Sequence, residues 1–285
     1  MPAKSDDLAQ GLRIFGLLTL TLVAFAANSL LTRAALTDPA NGALGFAGVR
    51  LVSGALVLLA IGVLRRDALL PRRQDAPAIA ALFVYAAAFS LSYRAMSAAS
   101  GALILFAVVQ VTMLAVARAR GMRIGALGGA GVVLAMAGLV WLLLPGLQAP
   151  PFEAALLMAL SGVAWGVYSL LGQGAGEPTG RTIRNFIGTV PLVCVVFLIT
   201  PPNLTGFGWL MAVLSGGVAS ALGYMLWYRV LPKIGAPLAA SAQLSVPLIT
   251  ALGGVLFLGE ALGLRFVLAS VLILGGIYLT SKRRS

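Results

Sequence analysis

Residues 12–34 read LRIFGLLTLTLVAFAANSLLTRA, with an arginine near each end and no acid anywhere between. A helix needs roughly 20 predominantly apolar residues to cross the hydrocarbon core of a bilayer. The run from Leu12 to Leu31 has that length. It is too long for the apolar core of a secretory leader, and no convincing small-residue cleavage site follows. It is therefore expected to be a retained first helix behind a short polar amino end, Met1 to Gly11. A lipid-spanning strand would alternate apolar and polar positions over about ten residues. This run is continuously apolar, and only a helix satisfies its backbone within one segment of a bilayer.

Nine further runs of the same kind follow, near 41–64, 76–96, 100–117, 124–144, 153–172, 182–200, 207–229, 236–257 and 264–281. The least marked boundary is the third, where only Ser97 to Ser100 separate two apolar runs. Sixty per cent of the 285 residues are hydrophobic and 10% charged, against about a quarter charged in soluble domains. One water-soluble core could not absorb that much apolar surface, and a bilayer removes the difficulty. The predicted fold is an all-α membrane protein of ten transmembrane helices. Its divisions are a cytoplasmic segment 1–11, a five-helix unit 12–146, a second unit 152–281 and a cytoplasmic tail 282–285.

The net charge of +12 is not a nucleic-acid signature, because the basic residues sit in short clusters between apolar runs. Of the 20 Lys and Arg, Arg50 lies inside the second run. Arg33, Arg94 and Arg265 fall on one side of the expected membrane, and the other 16, from Lys4 to Arg284, on the opposite side. Positive loops stay cytoplasmic, so both termini are expected in the cytoplasm and the chain in an inner or plasma membrane. The outer connections, such as PGLQAPP at 145–151 and TPPNLTG at 200–206, are too short for a catalytic domain.

The two halves resemble one another. VAFAANSLL at 23–31 matches VAWGVYSLL at 163–171; Tyr93-Arg94 matches Tyr228-Arg229; AGLVWL at 137–142 matches GGIYLT at 275–280. Each unit carries five helices, so the second enters the membrane from the opposite side. Two inverted five-helix repeats around a central cavity are a recurring basis for alternating access. The reading implies a carrier of a small-molecule substrate in a lipid bilayer.

Polar groups inside lipid are costly and face a bundle interior or a watery cavity. Asn28 and Tyr168 share a repeat position, Gln110 and Gln243 lie at similar depth in the fourth and ninth spans, and Arg50 is the one basic residue well inside a span. Arg50 could meet a substrate carboxylate or lie near the outer interface. Phe25, Tyr85, Phe89, Trp165 and Tyr224 add an aromatic wall suited to apolar side chains and to an ammonium group. The competing reading makes Asn and Gln interhelical glue and the span-end residues Tyr93 and Tyr228 an interfacial belt. Glu260 is expected to be a helix-end partner. Pro191, Pro247, Gly253 and Gly254 are hinge candidates, and Gly125 to Gly129 and Gly162 to Gly166 close-packing faces. With no His, one Cys (Cys194) and all eight acids at ends or connections, no cofactor, metal site, disulfide, catalytic triad or carboxylate proton relay is expected. Facilitated transport, or coupling through a group the sequence does not reveal, is the consequence, and the chain is not expected to be an enzyme.

The segment AWGVYSLL at 164–171, its counterpart around Asn28, Arg50, and GAPLAASAQLSVPLITALGGVLFLGE at 235–260 together resemble the drug/metabolite transporter superfamily in its ten-helix form with two EamA-type repeats. The resemblance covers about residues 15–281 and extends to YddG-type bacterial amino-acid exporters. It implies a basket-like bundle and efflux of amino acids, aromatic and apolar ones included, or related metabolites. A drug or other metabolite carrier of the same fold, and more remotely a non-transport membrane protein, remain alternatives. The first half departs from the pattern: Thr112 stands where Pro247 does, and Ala-Arg-Ala-Arg-Gly replaces Leu-Gly-Glu. The first span lacks the essential carboxylate of the four-helix multidrug relatives. The oligomeric state is not set by the sequence, which is compatible with a monomer.

Overall fold

The computed structural model describes residues 3–121, 125–144, 149–172 and 177–281. Arg123, Lys282, Arg283 and Arg284, and most of the connection at 145–151, lie outside the described residues. The helices are α1 (Ala3–Leu36), α2 (Ala43–Arg65), α3 (Ala76–Tyr93), α4 (Ala98–Ala119), α5 (Ala126–Leu143), α6 (Phe152–Gly172), α7 (Pro178–Ile199), α8 (Gly206–Val213), α9 (Gly223–Gln243), α10 (Ser245–Leu258) and α11 (Leu264–Ser281). A 3-10 turn, Arg73–Asp75, precedes α3, and a π-helical segment, Leu214–Leu222, joins α8 to α9 without a break. No strand occurs among the described residues. Counting α8, the π segment and α9 as one crossing gives ten, as the sequence implies.

Eight of these ten crossings are long and apolar enough to span a membrane, the eighth being Gly206–Ile234 through α8, the π segment and part of α9. At 14 residues, α10 spans about 21 Å, less than the ~30 Å of hydrocarbon. Large apolar side chains such as Leu56, Leu64, Leu198 and Phe257 stand more than half exposed on the outside of the bundle. In water they would drive aggregation; in lipid they meet their own solvent. Polar side chains, among them Asn28, Arg50, Asn185 and Ser220, are buried inside.

The main packing pairs join the two halves of the chain. α5 lies on α11, α3 and α4 on α6, α2 on α7 and the π segment, and α1 on α9 and α10. The α5–α11 seam is a close backbone approach, since a Cβ on Gly131 would stand 2.5 Å from the Gly276 oxygen. Small residues permit such contacts between membrane helices.

Several local expectations need correction. The third and fourth spans part at residues 94–97 rather than 97–100, because Ser97 caps α4 by accepting from the Ser100 N–H at 3.2 Å. The eighth and ninth spans part at Leu244, not near residue 235. The helix carries through Gly235 to Pro237, residue types that lower helix propensity without forbidding it. Pro247 consequently falls in the first turn of α10, where a missing N–H costs nothing, rather than in mid-helix. Pro191 sits within an unbroken α7. Gly125 and Gly129 face open space, whereas a Cβ on Gly162 would stand 2.8 Å from Val108 and one on Gly166 3.0 Å from Thr112. Gly253 packs against Leu30, and a Cβ on Gly254 would lie 2.8 Å from Glu260 Oε2. Both are tight contacts rather than free hinges.

Candidate functional site

Arg50, about two turns into α2, is 1% exposed. Its Nε donates to Ser220 Oγ at 3.1 Å, and its Nη2 donates to the hydroxyls of Tyr85 at 2.9 Å and Tyr224 at 3.3 Å. The guanidinium also lies 5.0 Å from the ring centres of both Tyr85 and Phe89. Nη1 is buried with no hydrogen-bond partner. None of the ion pairs among the described residues includes Arg50. Arginine cannot shed its proton, so the bundle holds an uncompensated positive charge.

The π segment lets Ser220 reach this charge. A Cβ on Gly216 would collide with the Arg50 carbonyl oxygen and with Ser53 Oγ. The π turn thus lies directly against α2, as such turns do at functional sites. From the same segment Ser215 donates to Asn28 Oδ1, while Asn28 Nδ2 donates to the Tyr85 hydroxyl at 3.1 Å.

Aromatic rings surround this polar knot. Trp165 contacts Tyr224 at 4.6 Å, Tyr85 at 5.0 Å, Tyr168 at 5.5 Å and Phe25 at 5.9 Å between ring centres. Phe25, Asn28, Tyr85, Phe89, Trp165 and Tyr224 border a central gap, together with Ser29, Leu105 and Phe106. The gap has room for about one water molecule. Arg50 does not border it. The guanidinium lies behind Tyr85, Phe89 and Tyr224, and its charge reaches the gap through their hydroxyls and rings. Neither expected alternative for Arg50 described that position.

Seven of the ten sequence-predicted residues therefore gather at one place: the six that border the gap, and Arg50 behind them. Tyr168 stacks on Trp165 but faces a second pocket, which it lines with Pro178, Arg181, Thr182, Asn185 and Tyr228. Gln110, half-buried on α4, and Gln243, buried at the end of α9, border neither space. Tyr93 and Tyr228 are not an interfacial belt: they are 0% and 6% exposed, held between helices. Sequence reasoning missed Ser215 and Ser220, whose only signal was two hydroxyls in an Ala/Gly-rich run.

Polar ties close the bundle at both ends. At the end bearing the α1–α2 connection, Glu260 pairs with Arg33 at 3.4 Å and accepts from the Ala98 N–H at 2.9 Å. Arg33 Nη1 donates to the Tyr93 carbonyl oxygen at 2.9 Å. At the other end Asp75 is fully buried and pairs with Arg184 at 2.9 Å and, more loosely, with Arg181 at 3.9 Å. Both arginines, counted by their charge toward the cytoplasmic side, belong to the first two turns of α7. No group of three or more metal-ligating side chains exists among the described residues.

A family profile described as the EamA-like transporter family matches residues 153–282. An uncharacterized protein of Pseudomonas aeruginosa is 48% identical over 265 residues, covering 92% of both chains. An uncharacterized transporter of Archaeoglobus fulgidus is 29% identical over 163 residues, 54% of this chain and 57% of that one. A protein of known crystal structure superposes with a TM-score of 0.62 at 21% identity, over 92% of this chain and 97% of that chain.

Proposed function

Because residues 153–282 are an EamA-like transporter family domain, we propose that this membrane transporter exports amino acids, apolar and aromatic ones above all, by alternating access. The observation that carries the reading is Arg50, a permanent charge in the bundle core with a free Nη1 and no carboxylate opposite. Burying an unpaired charge costs several kcal/mol, and residues of this kind inside a membrane mark solute paths. A substrate carboxylate in the central gap accepts from the Tyr224 hydroxyl, which Arg50 and Tyr85 polarise. The surrounding rings suit an apolar side chain and, through their faces, an ammonium group. Phosphorylated solutes would need several cations there, and Arg50 is the only one in this cluster.

Alternating access draws support from the packing. Exchanging the halves turns α3 on α6 into α8–α9 on α1, and α4 on α6 into α10 on α1, while α2–α7 and α5–α11 map onto themselves; all these pairs occur. Such exchange symmetry is what two repeats related by a two-fold axis give, and it supports the inverted-repeat reading. With ties at both ends and a gap the size of one water, the arrangement reads as occluded: a solute enters only when one end parts. The acids Asp75 and Glu260 tie the ends rather than the centre, which favours facilitated transport.

The test is counterflow of labelled phenylalanine into proteoliposomes of purified protein. Saturable exchange is expected, competed by leucine and tryptophan. Replacing the arginine with Arg50→Gln removes a charge-assisted interaction of about 1.5–3 kcal/mol, so KM should rise by roughly ten- to a hundredfold while helix content holds. Wild-type kinetics in that variant would sink the carboxylate reading, and uphill accumulation driven by a pH gradient would sink facilitated transport.

A further inference from the structure

The second pocket, between α6, α7 and α9, has features of a binding site in its own right. Arg181 lines it with a buried Nε that makes no hydrogen bond. Arg184 pairs with Asp75 Oδ2 at 2.9 Å and, more loosely, with Glu177 at 3.9 Å, while Arg181 Nε stands 3.9 Å from Asp75 Oδ1, too far for a hydrogen bond. Asn185 follows one helical turn later on the same face. It is 3% exposed, its Nδ2 donates to the Tyr168 hydroxyl at 3.5 Å, and its Oδ1 is buried without a partner. An unspent cationic donor and an unspent acceptor thus stand one turn apart at one cavity. Unsatisfied buried polar groups of this kind call for an explanation.

We propose that this pocket is a second binding station, which holds the head group of an α-amino acid at the membrane face carrying the amino end, before the solute passes to the central gap. The inference rests on the transport reading above and adds a site to it. Arg181 takes the carboxylate and Asn185 Oδ1 the ammonium. The rings of Tyr168 and Tyr228, 6.4 Å apart, wall the side chain. Tyr168 is the partition. One face of its ring stacks on Trp165 of the central cluster at 5.5 Å, and its hydroxyl is tied to Asn185 in the second pocket. A solute that displaces the Tyr168–Asn185 hydrogen bond frees the ring to swing and joins the two spaces. The pocket has room for about one water molecule, so occupancy requires α7 to move outward from α6 and α9.

The experiment uses a Cys194→Ser background, since Cys194 is free and exposed. Pro178→Cys, at the rim of the pocket, is labelled with a membrane-impermeant maleimide in inside-out vesicles. Glu177→Cys, exposed and 3.9 Å from Arg184 Nη1, serves as the second labelling site should the first fold poorly, with Glu177→Gln in the Pro178→Cys background as its charge control. Phenylalanine is expected to slow labelling, 3-phenylpropionate to slow it less, and phenethylamine to have no effect. Arg181→Gln should raise the half-protecting phenylalanine concentration about tenfold or more, and Arg181→Lys should restore part of the loss. Arg50→Gln should weaken counterflow yet leave protection at residue 178 intact. Phenylalanine exchange without protection, or protection unchanged in Arg181→Gln, overturns the second station. Protection without any exchange leaves the station standing and sinks amino-acid transport instead.

Discussion

Three polar groups converge on the Tyr85 hydroxyl: Asn28 Nδ2 at 3.1 Å, Arg50 Nη2 at 2.9 Å and the Tyr224 hydroxyl at 3.2 Å. A phenol oxygen has two acceptor positions. With Asn28 and Arg50 occupying both, the Tyr85 proton goes to Tyr224, and the two phenols form a directed pair beside the gap. Tyr85→Phe would leave Asn28 Nδ2 without its partner and Arg50 Nη2 with Tyr224 alone. An unsatisfied buried donor costs about 1–3 kcal/mol. The variant should lower the melting temperature in detergent and raise KM for phenylalanine exchange; wild-type values for both would remove Tyr85 from the site. Arg50, Asn28 and Tyr85 were legible in the sequence because a polar or amphipathic side chain in an apolar run stands out. The sequence could not reveal that Arg50 lies behind the tyrosines, since depth along a span does not fix direction around it. Gln110 and Gln243 show the same ambiguity, having the right depth without bordering the gap.

At the scale of elements, the π segment decides how closely the eighth crossing approaches α2. Its backbone lies against the Arg50 carbonyl at Gly216, and a Cβ on Gly54 would stand 3.1 Å from the Gly216 oxygen and 2.6 Å from the Phe186 ring. Gly216→Ala must therefore push the π segment away from α2 and loosen the bond between Ser220 and Arg50. Overpacking of this kind costs about 1–3 kcal/mol. The expected result is a lower melting temperature with weakened exchange. Gly275→Ala, where no atom lies within 4 Å, should leave both unchanged or slightly raise stability through better helix propensity. Equal behaviour of the two variants would count against the close contact. The existence of this crossing was legible from its apolar length, but its π geometry was not, because a widened turn depends on a neighbour rather than on local propensity. Boundaries failed for a related reason: Ser97 set the start of α4 by capping, while Gly235 to Pro237 resembled a break that the helix runs through.

For the molecule as a whole, the number of crossings fixes relations that no single helix reveals. The proposed topology follows from that count: ten crossings would put both chain ends on one face and turn the second unit over relative to the first, and the distribution of Lys and Arg points to the cytoplasm for that face. Exposed apolar residues on the outside and buried polar ones within require the medium around the bundle to be lipid, whatever its orientation. Sidedness can be checked by single cysteines in a Cys194→Ser background. Ala40→Cys, in the exposed α1–α2 connection, and Ala149→Cys, just before α6, should react with an impermeant maleimide in right-side-out vesicles. Ala68→Cys, exposed beyond α2, should react only once the vesicles are inverted. The positions at 68 and 149 fall after two and five crossings, so an even-to-odd difference separates them. Reaction of both from one face would make the first unit an even number of helices, place the two units in parallel and remove the basis for alternating access between inverted halves.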